Sequence, residues 1–147
     1  AVGNIVKFNR SKSSEMSNVC HSFGLKAKEH NSDYLSDEEI IKRIESGVDS
    51  LNIAPEMGVI ETSVILNRLK KNESLRNDFF NLCYSSGKWR KWVDKEPDPE
   101  TIAKICGHYT FGSKEFQLIK SKLGKNIDEE IIDNLNQRLV QLWQIKK

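Results

Sequence analysis

The sequence has little of the features that assign a short chain to a specialised class. Cysteine occurs only three times in 147 residues, at distant positions and in no CxxC pair, which supports neither a disulfide framework nor a zinc knuckle. No apolar run approaches the ~18 residues of a membrane span, and the first residues lack the basic and apolar segments of a signal peptide. We therefore expect a protein of the reducing cytoplasm with no membrane partner.

An excess of charge of either sign is also absent. The chain has 23 basic and 21 acidic residues and a formal net charge of +2, so its composition does not indicate nucleic-acid binding. The short basic run at residues 88–92 is followed by an acidic run that begins at Asp94. We expect no nucleic-acid partner.

Strand and helix patterns alternate in the first half of the chain. Short apolar or alternating segments predict three strands, at residues 4–8, 25–30 and 51–54. Residues 36–39 begin with Ser and end with Glu, a capping box that predicts the start of a helix. A second amphipathic helix is predicted over residues 59–71. Strands and helices in this alternation are typical of a parallel sheet.

The second half of the chain shows helical patterns alone. Turn-rich or glycine breaks separate these patterns at residues 94–99, Gly107 and Gly124. We therefore divide the chain into residues 1–71, the last β/α units of a barrel, and residues 72–147, a helical C-terminal extension.

The expected fold class is α/β: the C-terminal part of a (β/α)8 TIM barrel, with about three parallel strands, followed by the helical extension. Three strands cannot close a barrel, and both faces of parallel strands need cover. At 147 residues the chain is too short for a complete barrel, which needs at least ~200 residues. The absent initiator Met agrees with this interpretation, so we expect a piece of a longer protein.

The candidate site lies where the predicted strands end. Function in α/β folds gathers at the C-terminal ends of parallel strands, which share one edge of the sheet. Two such ends are visible, at residues 28–34 and 52–58. Because side chains alternate along a strand, we expect four side chains to face a barrel interior or pocket together: Lys26, Lys28, His30 and Asn52.

These strand ends carry residues that suit proton transfer and phosphate binding. His30 can transfer protons near neutral pH or bind a metal, and Asp33 and Glu56 could orient it, bind a cation or accept hydrogen bonds from sugar hydroxyls. Lys26 and Lys28 could hold a phosphate. The alternative is a solvated strand end in which Asp33 only shapes a turn. One histidine without a second ligand nearby in sequence gives little support for a metal.

Two further segments have both a functional and a structural interpretation. Residues 107–113 combine small residues and backbone amides that could hold an anion, or form a packed turn between two helices. Trp89 and Trp92 lie three residues apart on one helical face. They could stack on a sugar, or belong to the core or to a subunit contact.

Four segments resemble, in the right order, the accessory subunits of tagatose-bisphosphate aldolase. Residues 30–34 are similar to that family's His-Ser-Thr-Asp-Tyr stretch, and residues 51–55 to its Leu-Lys-Val-Gly-Pro strand. Residues 89–92 resemble a Trp-Lys-Lys-Tyr segment, and residues 108–113 an Arg-Tyr-Ser-x-Ser-Asp turn. The similarity extends from about Gly24 to the last helix.

The resemblance implies a barrel of the class II aldolase kind and sugar-phosphate metabolism in a bacterial cytoplasm. Proteins of this family are regarded as non-catalytic partners of a separate zinc-dependent aldolase subunit. Carried over by position, His30, Asp33 and Tyr34 match the family's strand-end motif. The sequence departs from the family at Lys28, where the family has an acid, and at Asn52, where it has Lys. A divergent protein that acts on another phosphorylated or nucleotide-linked sugar is therefore expected.

Two hypotheses follow. The first is a sugar-phosphate aldolase-like protein, either an aldolase that uses a divalent metal such as zinc or its accessory subunit, which binds a phosphorylated sugar and a catalytic aldolase subunit. The second is a non-enzymatic protein–protein interaction module built on a partial barrel. In either case the Trp- and Leu-rich tail would make a homo- or hetero-oligomeric contact. For the first hypothesis, the candidate catalytic residues are His30, Asp33 and Glu56, and the candidate substrate-binding residues are Lys28, Tyr34 and Asn52.

Overall fold

The computed structural model of the protein describes residues 8–30 and 32–145 and is 67% helical. It divides into two compact units, residues 57–137 and residues 8–56 with 138–145. None of the helices in the described ranges has the length and apolar character needed to cross a bilayer. The elements are α1 (Arg10–Ser22), β1 (Lys28–Glu29), α2 (Asp37–Glu45), β2 (Ser50–Leu51), α3 (Pro55–Leu69), α4 (Glu73–Ser85), α5 (Pro99–Cys106), α6 (Lys114–Ser121) and α7 (Ile127–Gln144).

The expected fold class, an α/β C-terminal part of a (β/α)8 TIM barrel with about three parallel strands, is wrong. The described residues are mostly helical, and their sheet has two strands of two residues each. These strands pair in parallel, with Lys28 opposite Ser50 and Glu29 opposite Leu51. Residues 4–7 of the first predicted strand lie outside the described residues. The division of the chain between residues 71 and 72 stays a prediction.

Helix termini explain why the strands are so short. The N–H of Leu25 donates to the carbonyl of Cys20 at 2.9 Å, so Leu25 belongs to the C-terminal cap of α1 rather than to a strand. At the other end Pro55 is the first residue of α3, a position that its fixed φ favours. The alternating sequence pattern extends beyond both observed strands, but the residues on either side of them form the ends of helices.

In the unit of residues 8–56 and 138–145, α2 connects the two strands. Its capping box is confirmed, because the Ser36 hydroxyl accepts from the N–H of Glu39 at 3.3 Å and the Glu39 carboxylate accepts from the N–H of Ser36 at 2.9 Å. The interior of this unit contains few apolar side chains. Its buried residues are Ala27, Leu35, Ile40 and Val48 together with Ser17, Ser32, Asp33, Arg43, Ser46 and Glu56.

The unit of residues 57–137 has an apolar core. The rings of Phe79 and Phe116 lie 5.9 Å apart between their centroids. A Cβ on Gly107 would come within 2.8 Å of the Thr62 side chain, so only glycine permits this approach of the α5 terminus to α3. The largest fully buried apolar side chains are Phe79, Phe116, Ile65, Leu69 and Ile102.

Candidate functional site

The backbone brings the ends of β1 and β2 side by side. The N–H of Asn52 donates to the carbonyl of Glu29 at 2.9 Å, and the N–H of Ser32 donates to the carbonyl of Asn52 at 3.1 Å. The two segments that the sequence analysis singled out therefore lie next to each other at one edge. Their side chains, however, divide into a buried set and an exposed set.

Asp33 belongs to the buried set and caps the first turn of α3. Its Oδ1 accepts from the N–H groups of Ala54 and Glu56, both at 2.9 Å. The first N–H groups of a helix have no partner within the helix and favour an anionic acceptor. Asp33 is only 8% exposed, so this carboxylate serves the junction of the two strand ends rather than a site open to solvent.

Glu56 is the second buried carboxylate and has donors on both oxygens. Oε2 accepts from the N–H of Tyr34 at 2.7 Å, and Oε1 accepts from Nε of Arg138 at 2.6 Å. Arg138 also donates through Nη2 to the carbonyl of Leu35 at 3.1 Å. Glu56 is 6% exposed. This burial, together with a donor on each oxygen, leaves the carboxylate closed to a substrate in solvent.

Arg138 is the residue of this cluster that sequence reasoning missed. It lies 82 positions from Glu56, so no local motif links the two. A signal was nevertheless present, because Arg138 falls on the same helical face as Ile131 and Leu135, an apolar stripe. A charged residue in such a stripe is rarely buried unless it is paired, so this position predicts an acidic partner.

Tyr34 is held in an unusual backbone conformation at this junction. Its φ is +62°, a left-handed value that costs a residue other than glycine roughly 1–2 kcal/mol. The bond from its N–H to Glu56 and the bond from Arg138 to the next carbonyl fix this segment. The ring of Tyr34 is partly exposed.

Lys28 and His30 form the exposed set, whereas the sequence analysis expected them to face an interior. Both side chains lie in solvent, as does Lys26, and Asn52 is half-buried. Glu29, on the opposite side of the strand, accepts from the buried guanidinium of Arg43 at 2.9 Å. Alternation therefore separates the side chains of this strand correctly, but its polar side faces outwards.

The segment of residues 107–113 is a packed turn. It contains a 3-10 turn over Gly107–Thr110, and the Ser113 hydroxyl accepts from the N–H of Phe116 at 3.1 Å as the cap of α6. Burial lowers the pKa of His108, and its Nδ1 is buried without a hydrogen-bond partner.

Trp89 is a core residue. It is almost fully buried, and its indole Nε1 donates to the carbonyl of Tyr84 at 3.2 Å. Trp92 is exposed, so the two tryptophans do not form one stacking surface.

The described residues offer no metal site. Residues 8–30 and 32–145 contain no group of three His, Cys, Asp or Glu side chains that could hold an ion. Cys83 and Cys106 are buried in the apolar core, where the thiol of Cys106 donates to the backbone carbonyl of Cys83 at 3.4 Å. The neighbouring Cys106 thiol and burial both raise the pKa of Cys83. Zinc binding by this chain stays a prediction, and the residues in the described ranges do not suit it.

Comparison with known proteins identifies no relative of the chain. No protein-family model, curated protein or solved structure matches the chain.

Proposed function

We propose that this chain is a non-catalytic subunit of the sugar-phosphate aldolase type. It binds a separate, zinc-dependent aldolase protein and supports the activity of that partner without cleaving a carbon–carbon bond itself. The observation that carries the proposal is the engagement of Asp33 and Glu56, the two candidate catalytic carboxylates, in buried intramolecular hydrogen bonds. The resemblance of residues 30–34 and three later segments to aldolase accessory subunits supplies the substrate class.

The chemistry of aldol cleavage favours the accessory role over a catalytic one. A general base must come within hydrogen-bond reach of the proton that it removes, about 2.6–3.2 Å between heavy atoms. Asp33 binds two backbone N–H groups, and Glu56 binds a backbone N–H and the Arg138 guanidinium. Removing either carboxylate from these donors would leave buried donors unpaired, which costs ~1–3 kcal/mol each.

The compartment that we propose is the cytoplasm. Cys20, Cys83 and Cys106 are all free thiols, and free cysteines persist most readily in a reducing compartment.

The ligand of this subunit is a phosphorylated sugar held at the exposed strand ends. Lys28 and His30 lie in solvent on one side of β1 and can donate to phosphate oxygens; Asn52 and the ring of Tyr34 complete the proposed contact. Titration calorimetry with inorganic phosphate, with tagatose bisphosphate and with other sugar phosphates tests this contact. Lys28→Ala should weaken binding, whereas the matched control Lys42→Ala should not, because Lys42 is exposed on α2 and pairs with Glu38 at 2.7 Å.

Three parallel assays test the proposed function itself. Cleavage of tagatose bisphosphate and of other sugar bisphosphates is measured with the chain alone, with a zinc-dependent class II aldolase of the same cell alone, and with both proteins together. The chain alone should show no cleavage, and it should raise the activity or the half-life of the aldolase. Cleavage by the chain alone would overturn the proposal, as would the absence of any complex in analytical ultracentrifugation.

The second candidate is an interaction module unconnected with sugar metabolism. Several large apolar side chains are exposed on helices or at their ends, Phe23 and Trp143 most of all, which is typical of contact surfaces. The calorimetry and ultracentrifugation separate the two candidates. A chain that binds neither phosphate nor the sugar and does not associate with the aldolase supports this second function.

A further inference from the structure

Helix α1 carries an apolar stripe that lies in solvent. Met16, Val19 and Phe23 follow a spacing of three and four residues, which places them on one helical face, and they are 56%, 49% and 76% exposed. The opposite side of α1 holds the helix in its own unit through small residues. Ser13 lies 2.8 Å from Ser46 between hydroxyl oxygens, and Ser17 is buried. The usual order, with apolar residues inside and polar residues outside, is thus inverted in α1.

The C-terminal cap of α1 extends this stripe. Gly24 has a φ of +69° and its N–H donates to the carbonyl of His21 at 2.9 Å, while the N–H of Leu25 donates to the carbonyl of Cys20 at 2.9 Å. In this cap the residue after the glycine turns back over the last helical turn. Leu25 is 63% exposed. We call the surface formed by Met16, Val19, Phe23 and Leu25 the α1 patch.

Lysines border the α1 patch. Lys12 lies one turn before Met16 on the same helical face, Lys26 directly follows Leu25, and both are exposed. Lys28 is exposed two residues further on. Arg10 binds Glu45 at 3.2 Å, whereas the carboxylate of Asp49 lies 2.7 Å from His21, whose ring carries a charge only when it is protonated. Among the described residues, the charges around the patch are therefore three lysines, Lys12, Lys26 and Lys28, and two carboxylates, Glu15 and Asp49.

We infer that the α1 patch is the surface with which this chain binds its partner protein, and that the partner presents an apolar surface bordered by carboxylates. This inference rests on the proposed function and names its contact surface. An apolar centre within a charged rim is the usual composition of a protein–protein interface. Lysines on this rim attract a carboxylate rim on the partner and raise the association rate.

The charges favour such a partner over two other occupants. In a contact between two copies of the chain, the rims that meet would both be rich in lysine, which is unfavourable. Segments that bind anionic membranes carry clusters of roughly 4–8 basic residues, whereas three lysines surround this patch. A protein with an acidic rim is the occupant that suits both the apolar centre and the modest positive charge.

Surface plasmon resonance with the class II aldolase of the proposed function tests the inference. Phe23→Ser and Met16→Ser should each weaken binding about tenfold or more, because exposed anchors at the centre of an interface carry most of its affinity. The double variant Lys12→Glu and Lys26→Glu should slow association and remove its dependence on salt. Matched controls in the other unit are Leu118→Ser, at a side chain 65% exposed, and Lys88→Glu. Circular dichroism checks that each variant is folded.

The outcomes distinguish this inference from the proposed function. If the wild-type chain does not bind the aldolase, both fall. If it binds and the α1 variants bind equally well, or if only Trp143→Ser in α7 weakens binding, the contact surface is wrong and the function stands. Self-association of the chain that Phe23→Ser abolishes would overturn the inference in favour of a second copy. Binding to phosphatidylserine vesicles that Phe23→Ser abolishes would overturn it in favour of a membrane.

Discussion

The two compact units differ in what fills their interiors. Residues 57–137 enclose large apolar side chains, with Phe79 and Phe116 fully buried at the centre. Residues 8–56 and 138–145 enclose Asp33, Arg43 and Glu56, whose charged groups bind backbone amides, a backbone carbonyl and the charged side chains of Glu29 and Arg138. The first interior depends on apolar area and volume, and the second on complete pairing of polar groups.

The two interiors should therefore respond differently to substitution. Apolar packing has no directional bonds, so volume-conserving changes cost less than about 1.5 kcal/mol. In a buried polar network a single substitution should cost more free energy of unfolding, because the loss of one partner leaves the other desolvated and unpaired. This network also sets the geometry of the strand ends, so changes to it should alter the proposed ligand binding at Lys28 and His30 as well as stability.

The largest expected effect is the loss of Phe79 from the apolar interior. Phe79→Ala should lower the free energy of unfolding by ~3–5 kcal/mol, through lost apolar burial and the cavity left behind. Urea denaturation measures the change. Phe23→Ala is the matched control, since this phenylalanine is exposed and its removal should cost less than about 0.5 kcal/mol. Equal losses at both positions would contradict the proposed role of the core.

The next effect concerns the ion pair between Glu56 and Arg138. Arg138→Met should lower the free energy of unfolding by about 3 kcal/mol, because it leaves a buried carboxylate without its cation. The double variant Glu56→Gln with Arg138→Met should cost less than the sum of the two single changes. Urea denaturation of all four proteins gives this coupling. Additive losses would show that the pair does not act as a unit.

Local signals in the sequence predicted local structure well. The capping box at Ser36 and Glu39 depends on bonds within a few residues, and the structure contains it. Alternation likewise identified the adjacent, parallel segments that became β1 and β2.

Signals that compete or act at long range failed. The predicted strands were longer than the observed ones, because Leu25 belongs to the cap of α1 and α3 begins at Pro55. Side-chain alternation does not show where a neighbouring helix begins or ends. The expected interior for Lys28 and His30 depended on the barrel and failed with it. Arg138 could not be assigned to Glu56 because only the fold brings the two together.

A smaller effect is expected at Asp33, within the polar interior. Asp33→Ala removes the acceptor of the N–H groups of Ala54 and Glu56 and should cost about 1–2 kcal/mol, as the loss of a helix cap does. Asp33→Asn keeps an oxygen at the same position and should recover most of this loss. Urea denaturation and hydrogen exchange at the two amides measure both variants. If Asn were as damaging as Ala, the negative charge rather than the acceptor would be essential.

The smallest expected effect is a pH dependence confined to the apolar unit. His108 stacks on Tyr109 at 4.1 Å between ring centroids, a Cβ on Gly58 would meet its ring, and burial lowers its pKa. In the unfolded chain this histidine has an ordinary pKa of about 6.5. As the pH is lowered, it therefore binds a proton at a higher pH in the unfolded chain than in the folded chain. This contribution to stability is complete above about pH 6.5 and decreases as the pH falls below it.

The variant His108→Asn isolates this contribution. Carboxylates also titrate as the pH falls, so the informative quantity is the difference in unfolding free energy between wild type and variant. Urea denaturation at about pH 7 and about pH 5.5 measures this difference. At the lower pH the unfolding free energy of the wild type should fall relative to that of the variant. His30→Asn, at an exposed histidine, is the control and should leave the dependence unchanged. A difference that is the same at both pH values would mean that the folded structure accepts the charged ring of His108, and that the apolar interior is more hydrated around this residue than its contacts indicate.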